Sequence, residues 1–318
     1  MNRWLTIVFT ALMSAAPLAA LAADGPLDPA KLRLMSANAV IIDSAAGTPV
    51  YVKAANEVTP IASLTKLMTA MVALDAGQPL DEALDIDMGD FDYVKGSRSR
   101  LRMGATLSRD EMLRLALMAS ENRAASTLAR HYPGGTDAFV AAMNAKARSL
   151  KLTRTSFADP TGLSPRNVST AIDLARMVQA AADYPLIREY STTPAHSVEV
   201  QPTGQTLGFN NSNALVKNDT WDIQLQKTGY IREAGRCVVM LANIASRPVV
   251  IVLLDSIGKY TRLGDAQRVK HWLETGEALP LPTLRRAVAK SAPRSKVAKP
   301  VKGTLQPRLA TSTKSPRG

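Results

Sequence analysis

The 318-residue sequence predicts one α/β domain, a sheet drawn from strands at both ends of the body with a helical lobe inserted between them. Three observations predict it. Runs rich in β-branched residues, bounded by Gly, Pro or Arg turns, occupy residues 38–56 and return between 196 and 255. From about residue 80 to 185 the apolar residues recur at helical spacing instead. No internal repeat is present.

Taken in order, the chain opens with Arg3, the apolar stretch "WLTIVFTALM" and the small-x-small triplet Ala20-Leu21-Ala22. This reads as an export signal over residues 1–22, and Pro17 with the alanine-rich end favours cleavage over an uncleaved anchor. Export implies the periplasm. A body spanning residues 23–280 follows. "NAVIIDSAAGTPVYVKAAN" reads as two strands around a Gly-containing turn, and "VTPIASLTKLMTAMVAL" as a helix with Leu64, Leu67, Met68, Met71 and Val72 in one stripe. In the lobe, Ser108 and Glu111 form a capping box for "RDEMLRLALMA". Helices also fit "TDAFVAAMNAKARSL" and "TAIDLARMVQAAA". "HSVEV", "IQLQKTGYI", "RCVVMLANI" and "PVVIVLLD" are strands, and "GDAQRVKHWLETG" is a closing helix.

The net charge is +12, but ten Lys/Arg and no acid lie in residues 285–318, so the body is nearly neutral. Residues 281–318 read as a basic disordered tail, which either holds anionic wall polymer or membrane surface or only solubilises the chain. Nucleic acid is not an expected partner of an exported chain. Cys237 is the single cysteine, which excludes an internal disulfide, and it reads as an inert core thiol.

Several chemistries lack their motifs. There is no H-E-x-x-H, C-x-x-C, G-x-S-x-G or Walker loop, so neither a metal nor a phosphate-binding cofactor is expected. His131, His196 and His271 lie in unrelated settings and read as structural or exposed. Ser63 and Lys66 are three residues apart at the head of an apolar helix, which puts both side chains on one face. Burial there would lower the lysine pKa and suit it to act as a base. A lysine reaching along its stem to the surface is equally compatible with this segment. Ser256-Ile257-Gly258-Lys259 repeats the S-x-x-K pattern, and Ser36-Ala37-Asn38 repeats the S-x-N of Ser120-Glu121-Asn122. Order separates them: only Ser63/Lys66, Ser120/Asn122 and Lys227-Thr228-Gly229 run as S-x-x-K, S-x-N, K-T-G.

With that ordered triple the sequence resembles the low-molecular-mass penicillin-binding proteins, the serine D-alanyl-D-alanine peptidases. The likeness is greatest to their endopeptidase branch, the penicillin-binding protein 7 type. "KGSRSRLRMGATLSRDEMLRLALMASENRAA", "DPTGLSPRNVSTAIDLA" and "VLLDSIGKYTRLGDAQRVKHWL" carry the resemblance beyond the motifs, over nearly all of residues 38–275. It implies the serine β-lactamase/DD-peptidase-like fold, an antiparallel sheet flanked by helices with an all-helical lobe. It implies Ser63 as nucleophile, Lys66 as its base, and Ser120 as proton relay to the leaving amine. Asn122 would hold the substrate amide, and Lys227 would add positive potential that keeps Lys66 neutral and attracts an anionic substrate. Thr228 would bind a carboxylate, Gly229 would allow close approach, and the N–H groups of Ser63 and Tyr230 would form the oxyanion hole.

The resemblance further implies peptidoglycan peptides as substrates, β-lactams as covalent inhibitors and no cofactor. A β-lactamase would need a glutamate for deacylation, and residues 140–185 contain none. Carboxypeptidase relatives often add a second β domain and an amphipathic anchor. Here a short, polar, basic segment follows Gly276, which favours an endopeptidase cutting D-alanyl–diaminopimelate cross-bridges. Tyr230, where several carboxypeptidases have His, points the same way. A carboxypeptidase and a non-catalytic wall-binding protein are the alternatives.

Overall fold

The computed structural model describes residues 27–281, apart from residues 94 and 259. The export signal and the basic tail beyond residue 281 therefore lie outside the described residues. The N-terminal hairpin pairs β1 (Asn38–Asp43) with β2 (Thr48–Lys53). A two-residue strand, β3 (Thr59–Pro60), leads into α1 (Thr65–Asp75). The lobe follows: β4 (Ala83–Asp85) pairs with β5 (Thr106–Ser108) across an irregular loop, then come α2 (Arg109–Met118), α3 (Asn122–Arg130) and α4 (Gly135–Ser149). The chain returns through β6 (Val168–Ser169), which pairs with β3, to α5 (Ala171–Ala182) and α6 (Pro185–Thr192). A hairpin of β7 (Ala195–Val200) and β8 (Gln205–Asn210) precedes three long strands. These are β9 (Asp222–Ile231), β10 (Gly235–Ile244) and β11 (Arg247–Ser256), and α7 (Thr261–Thr275) ends the body.

The main sheet is antiparallel in the order β2-β1-β11-β10-β9, so both ends of the sequence meet in its middle. Its central strands are apolar on both faces because helices cover both. On β11, Val250, Val252 and Leu254 face the core shared with α1 and α5, while Val249, Ile251 and Leu253 face α7. β1 and β10 divide in the same way: Val40 and Val239 lie on the first side, Ile41 and Met240 on the second. Each such side chain contributes about 1.5–3 kcal/mol by leaving water. Cys237 lies in the first core, fully buried, and burial pushes its thiol pKa up to about 11. No helix among the described residues is long and apolar enough to cross a membrane.

Two local expectations are corrected. The lobe is not wholly helical: β4 pairs with β5 as a separate two-stranded sheet, tying together the ends of residues 86–105, whose only helical turn among the described residues is a 3-10 turn at Met88–Asp90. The capping box at α2 is half made. Ser108 Oγ accepts from Glu111 N–H at 3.2 Å, but the Glu111 carboxylate turns to His196 Nε2 at 2.8 Å instead of to the Ser108 N–H. β8 and α6 lack a clear period, and α6 begins at Pro185, a residue suited to the first turn of a helix.

The two decoy motifs also find their places. Ser36 and Ser256 are both buried and share a hydrogen bond, and Ser36 Oγ donates to Asp265 on α7 at 2.7 Å. They fasten the chain entering β1 to the end of β11, and their hydroxyls are turned into the packing.

Candidate active site

The site begins where a turn becomes a helix. Ile61 N–H donates to Asn167 O at 3.0 Å, tying the chain before Ser63 to the loop that follows α4. Ala62 then takes a left-handed φ of 47°, and Ala62–Leu64 forms a 3-10 turn running into α1. Ser63 is left partly exposed at the mouth of a cleft of about 530 Å³, while Lys66 lies fully buried beneath it. The surface-reaching alternative for Lys66 is thereby excluded.

Lys66 Nζ lies 3.1 Å from Ser63 Oγ, 2.7 Å from Asn122 Oδ1 and 2.6 Å from Thr161 O. Burial lowers its pKa to about 7, against the opposing pull of the Asp159 and Glu121 carboxylates. A neutral amine has two N–H bonds and one lone pair. The two carbonyl oxygens take the N–H bonds, which leaves the lone pair aimed at the Ser63 hydroxyl. That is the arrangement of a nucleophile and its base.

Ser120 sits between α2 and α3 with φ of 60°. This strained turn lets Ser120 and Asn122 both face the cleft while the Glu121 carboxylate caps α3 through Arg123 N–H at 3.1 Å. On β9, an edge strand, Lys227 is fully buried and reaches Ser120 Oγ at 2.8 Å and Thr228 O at 3.0 Å. Burial pushes Lys227 well below the ordinary lysine range, and the charges of Lys66 and Arg262 add to that. Burial, ahead of any neighbouring charge, is thus what lowers both lysines. Thr228 Oγ1 donates to Ser212 Oγ at 2.8 Å, and Tyr230 is 55 % exposed with the Arg236 guanidinium 4.4 Å over its ring. A Cβ on Gly229 would stand 3.1 Å from Ser63 N, so the β9 backbone runs directly against the nucleophile turn. All eight residues singled out in the sequence converge here: six line the cleft and the two lysines lie under it.

Sequence reasoning missed four others. Arg262 at the start of α7 donates to Gly229 O at 3.1 Å and lines the cleft, carried there by no recognisable motif. Ser212 precedes no pattern either. Thr161 contributes only a carbonyl, which no sequence signal reports. Asp159 opens the stretch "DPTGLSPRN", whose letters do not report the role of its carboxylate. Its carboxylate accepts from Thr161 N and Oγ1 at 2.6 Å each, Gly162 N at 2.7 Å and Ser164 N at 2.8 Å. It holds the loop that presents Thr161 O to Lys66 and is committed to that loop. His131 and His196 are engaged with Asp85 and Glu111, and neither lines the cleft. Among the described residues no group of three or more His, Cys, Asp or Glu could hold a metal ion.

Gly162 makes the close packing testable. Its φ is +83°, and an added Cβ would fall 2.0 Å from Ala62 O and 2.8 Å from Ser63 N. Gly162→Ala is expected to cost about 2–4 kcal/mol in thermal unfolding and to slow penicillin labelling sharply. Gly77→Ala, at φ +62° with open space around it, is expected to cost only about 1 kcal/mol with labelling intact. Equal effects of the two would mean that the Ala62–Gly162 contact does not position Ser63.

The comparisons with known proteins agree with this geometry. The sequence profile described as D-alanyl-D-alanine carboxypeptidase matches residues 26–258. A D-alanyl-D-alanine endopeptidase of Pseudomonas aeruginosa is 47% identical over 289 residues, 90% of this chain and 93% of that protein. Its Escherichia coli counterpart is 49% identical over 249 residues, 78% of this chain and 80% of that protein. Among solved structures, a Streptomyces DD-transpeptidase superposes with a TM-score of 0.71 at 27% identity, covering 76% of this chain and 98% of that one. A penicillin-binding protein of Listeria monocytogenes in its ampicillin-bound form gives 0.65 at 27% identity over 76% of this chain and 98% of that one. The antiparallel sheet flanked by helices is therefore the penicillin-binding fold, and the chain belongs to the D-alanyl-D-alanine carboxypeptidase family of serine peptidases.

Proposed function

We propose that the protein is a cell-wall D-alanyl-D-alanine endopeptidase that cleaves D-alanyl–diaminopimelate cross-bridges through an acyl-enzyme on Ser63. β-lactams would acylate the same serine. The observation that carries this reading is the buried Lys66 amine, 3.1 Å from Ser63 Oγ and anchored by Asn122 Oδ1 at 2.7 Å and Thr161 O at 2.6 Å.

The geometry supports the following steps. Lys66 Nζ takes the Ser63 proton as Oγ bonds to the D-alanyl carbonyl carbon, and the carbonyl π-pair moves to oxygen. The N–H groups of Ser63 and Tyr230 receive that oxyanion, each such donor contributing about 3 kcal/mol. The C–N bond then breaks, and the departing nitrogen takes the proton of Ser120, which lies 2.8 Å from Lys227 Nζ; the proton that Lys66 took from Ser63 restores the Ser120 hydroxyl and leaves Lys66 neutral again. Water gives a proton to the neutral Lys66 as its oxygen bonds to the ester carbon, and the acyl C–Oγ bond then breaks as Ser63 Oγ takes that proton back, releasing the acyl peptide as an acid. Asn122 Nδ2, free of the Lys66 contact, is left to donate to the substrate amide carbonyl. Thr228 and Ser212, with Arg262 beside them, receive a carboxylate.

The endopeptidase reading over the carboxypeptidase one is supported by the two relatives of 47% and 49% identity that carry that name. Incubation with purified muropeptides tests it. Cross-linked dimers are expected to give monomers; trimming of pentapeptides with dimers intact would establish the carboxypeptidase instead.

A further inference from the structure

The irregular loop of the lobe does not stop at the catalytic cleft. Lys95 and Ser97 line the cleft, but Arg98 and Arg100 line a second cavity of about 380 Å³, walled on its far side by Glu121, Phe209 and Asn210. Two chain segments join these spaces. In one, Ser120 and Asn122 face the cleft while Glu121, between them, faces the second cavity. In the other, Asn210 lies in the cavity and Ser212 in the cleft, where it meets Thr228. The cavity therefore adjoins the Ser120–Ser212–Thr228 end of the cleft, across the segments that carry Ser97/Arg98, Ser120/Glu121 and Asn210/Ser212. That is the end from which the leaving amine departs in the mechanism above. A different cavity, of about 530 Å³, shares Asn122 and Leu163 with the cleft and lies at the acyl end.

The leaving-group cavity has a distinct chemistry. Arg98 and Arg100 are exposed, and neither has an ion-pair partner among the described residues. Arg100 is nevertheless held in place, its guanidinium 4.1 Å over the Phe209 ring. Lys217 brings a third cation to the wall by donating to Asn210 Oδ1 at 2.6 Å. The one acid, Glu121, is only 8% exposed and already accepts from Arg123 N–H. Two arginines able to grip a planar carboxylate thus face one fixed acceptor.

We infer that this cavity is a subsite for the departing peptide, holding a carboxylate of the acceptor stem between Arg98 and Arg100 with a neighbouring amide N–H towards Glu121. The inference rests on the endopeptidase reading. A departing free D-alanine ends at the carboxylate beside the scissile bond, which Thr228 receives, and has nothing to place in the cavity. A departing stem peptide carries further carboxylates outward. The subsite would therefore act on cross-linked substrate alone.

The test compares three rates in wild type and the Arg98→Gln/Arg100→Gln double variant: dimer cleavage, pentapeptide trimming and fluorescent-penicillin acylation. The expected result is a loss of about tenfold or more in kcat/KM on dimers, mostly through KM, with trimming and acylation within twofold. Wild type should also lose about tenfold on dimers whose acceptor carboxylates, other than the one beside the scissile bond, are converted to carboxamides, and the double variant should not distinguish the two substrates. If wild type cleaves dimers and the variant cleaves them equally well, the subsite is refuted while the endopeptidase reading stands. A parallel loss of acylation and dimer cleavage also overturns it, because the arginines would then be supporting the catalytic cleft. A wild type that leaves dimers intact removes the endopeptidase reading and the subsite with it.

Discussion

Ser63→Ala is expected to abolish covalent labelling by a fluorescent penicillin and to lower peptide cleavage by at least about 10³-fold, with thermal stability nearly unchanged. The loss is large because nothing else in the cleft can take its place. Ser120 is the nearest hydroxyl in role, but it contacts Lys227, and its strained turn aims it across the cleft. Ser256→Ala, in the sequence twin, should do the reverse. Its hydroxyl bonds to Ser36 in the packing beside Asp265, so removal should cost about 1–2 kcal/mol of stability and leave labelling intact. Labelling that survives Ser63→Ala would remove the nucleophile assignment. A protein that never labels would favour a non-catalytic wall-binding role for this fold.

The contrast between the two S-x-x-K copies shows what a sequence can carry. Both put serine and lysine three residues apart; what differs is the backbone around them. Ser63 stands on a turn forced outward by the left-handed Ala62 and braced by Gly162 and Gly229, neither of which is adjacent in sequence. The ordered motifs were legible because three separate elements each bring a short, chemically unusual cluster to one place. The strands of the main sheet were legible because β-branched runs such as residues 249–254 are buried on both faces. Backbone contributions were not. Thr161 supplies a carbonyl, and any residue type has one. Arg262 reaches Gly229 O from a helix whose start the sequence placed three residues late, at Gly264 rather than Thr261. β7 was legible as "HSVEV", but its partner β8 and the β4–β5 pair are short strands with weak patterns of their own, so local periodicity could not announce them.

The rate of acylation is expected to rise with pH through an inflection near 7 and to level above about pH 8. The sign follows from which form of Lys66 works. Only the neutral amine can take the Ser63 proton, and burial holds its pKa at about 7. Each pH unit below that point should cost about tenfold, because the ammonium form grows in proportion. Lys66→Ala should flatten this limb and lower the rate by about 10²–10⁴-fold, the usual contribution of a positioned base. The neighbouring carboxylates allow a finer check. Asp159 and Glu121 both favour the ammonium, so neutralising one should ease deprotonation of Lys66. Asp159 is a poor choice because four hydrogen bonds of its loop depend on it. Glu121→Gln keeps an oxygen to accept from Arg123 N–H and is expected to move the inflection to lower pH. An inflection that stays in place, or moves upward, would mean that another group governs the limb. A profile flat from pH 5.5 to 8 in wild type would mean that Lys66 is not the base, whatever its distance from Ser63.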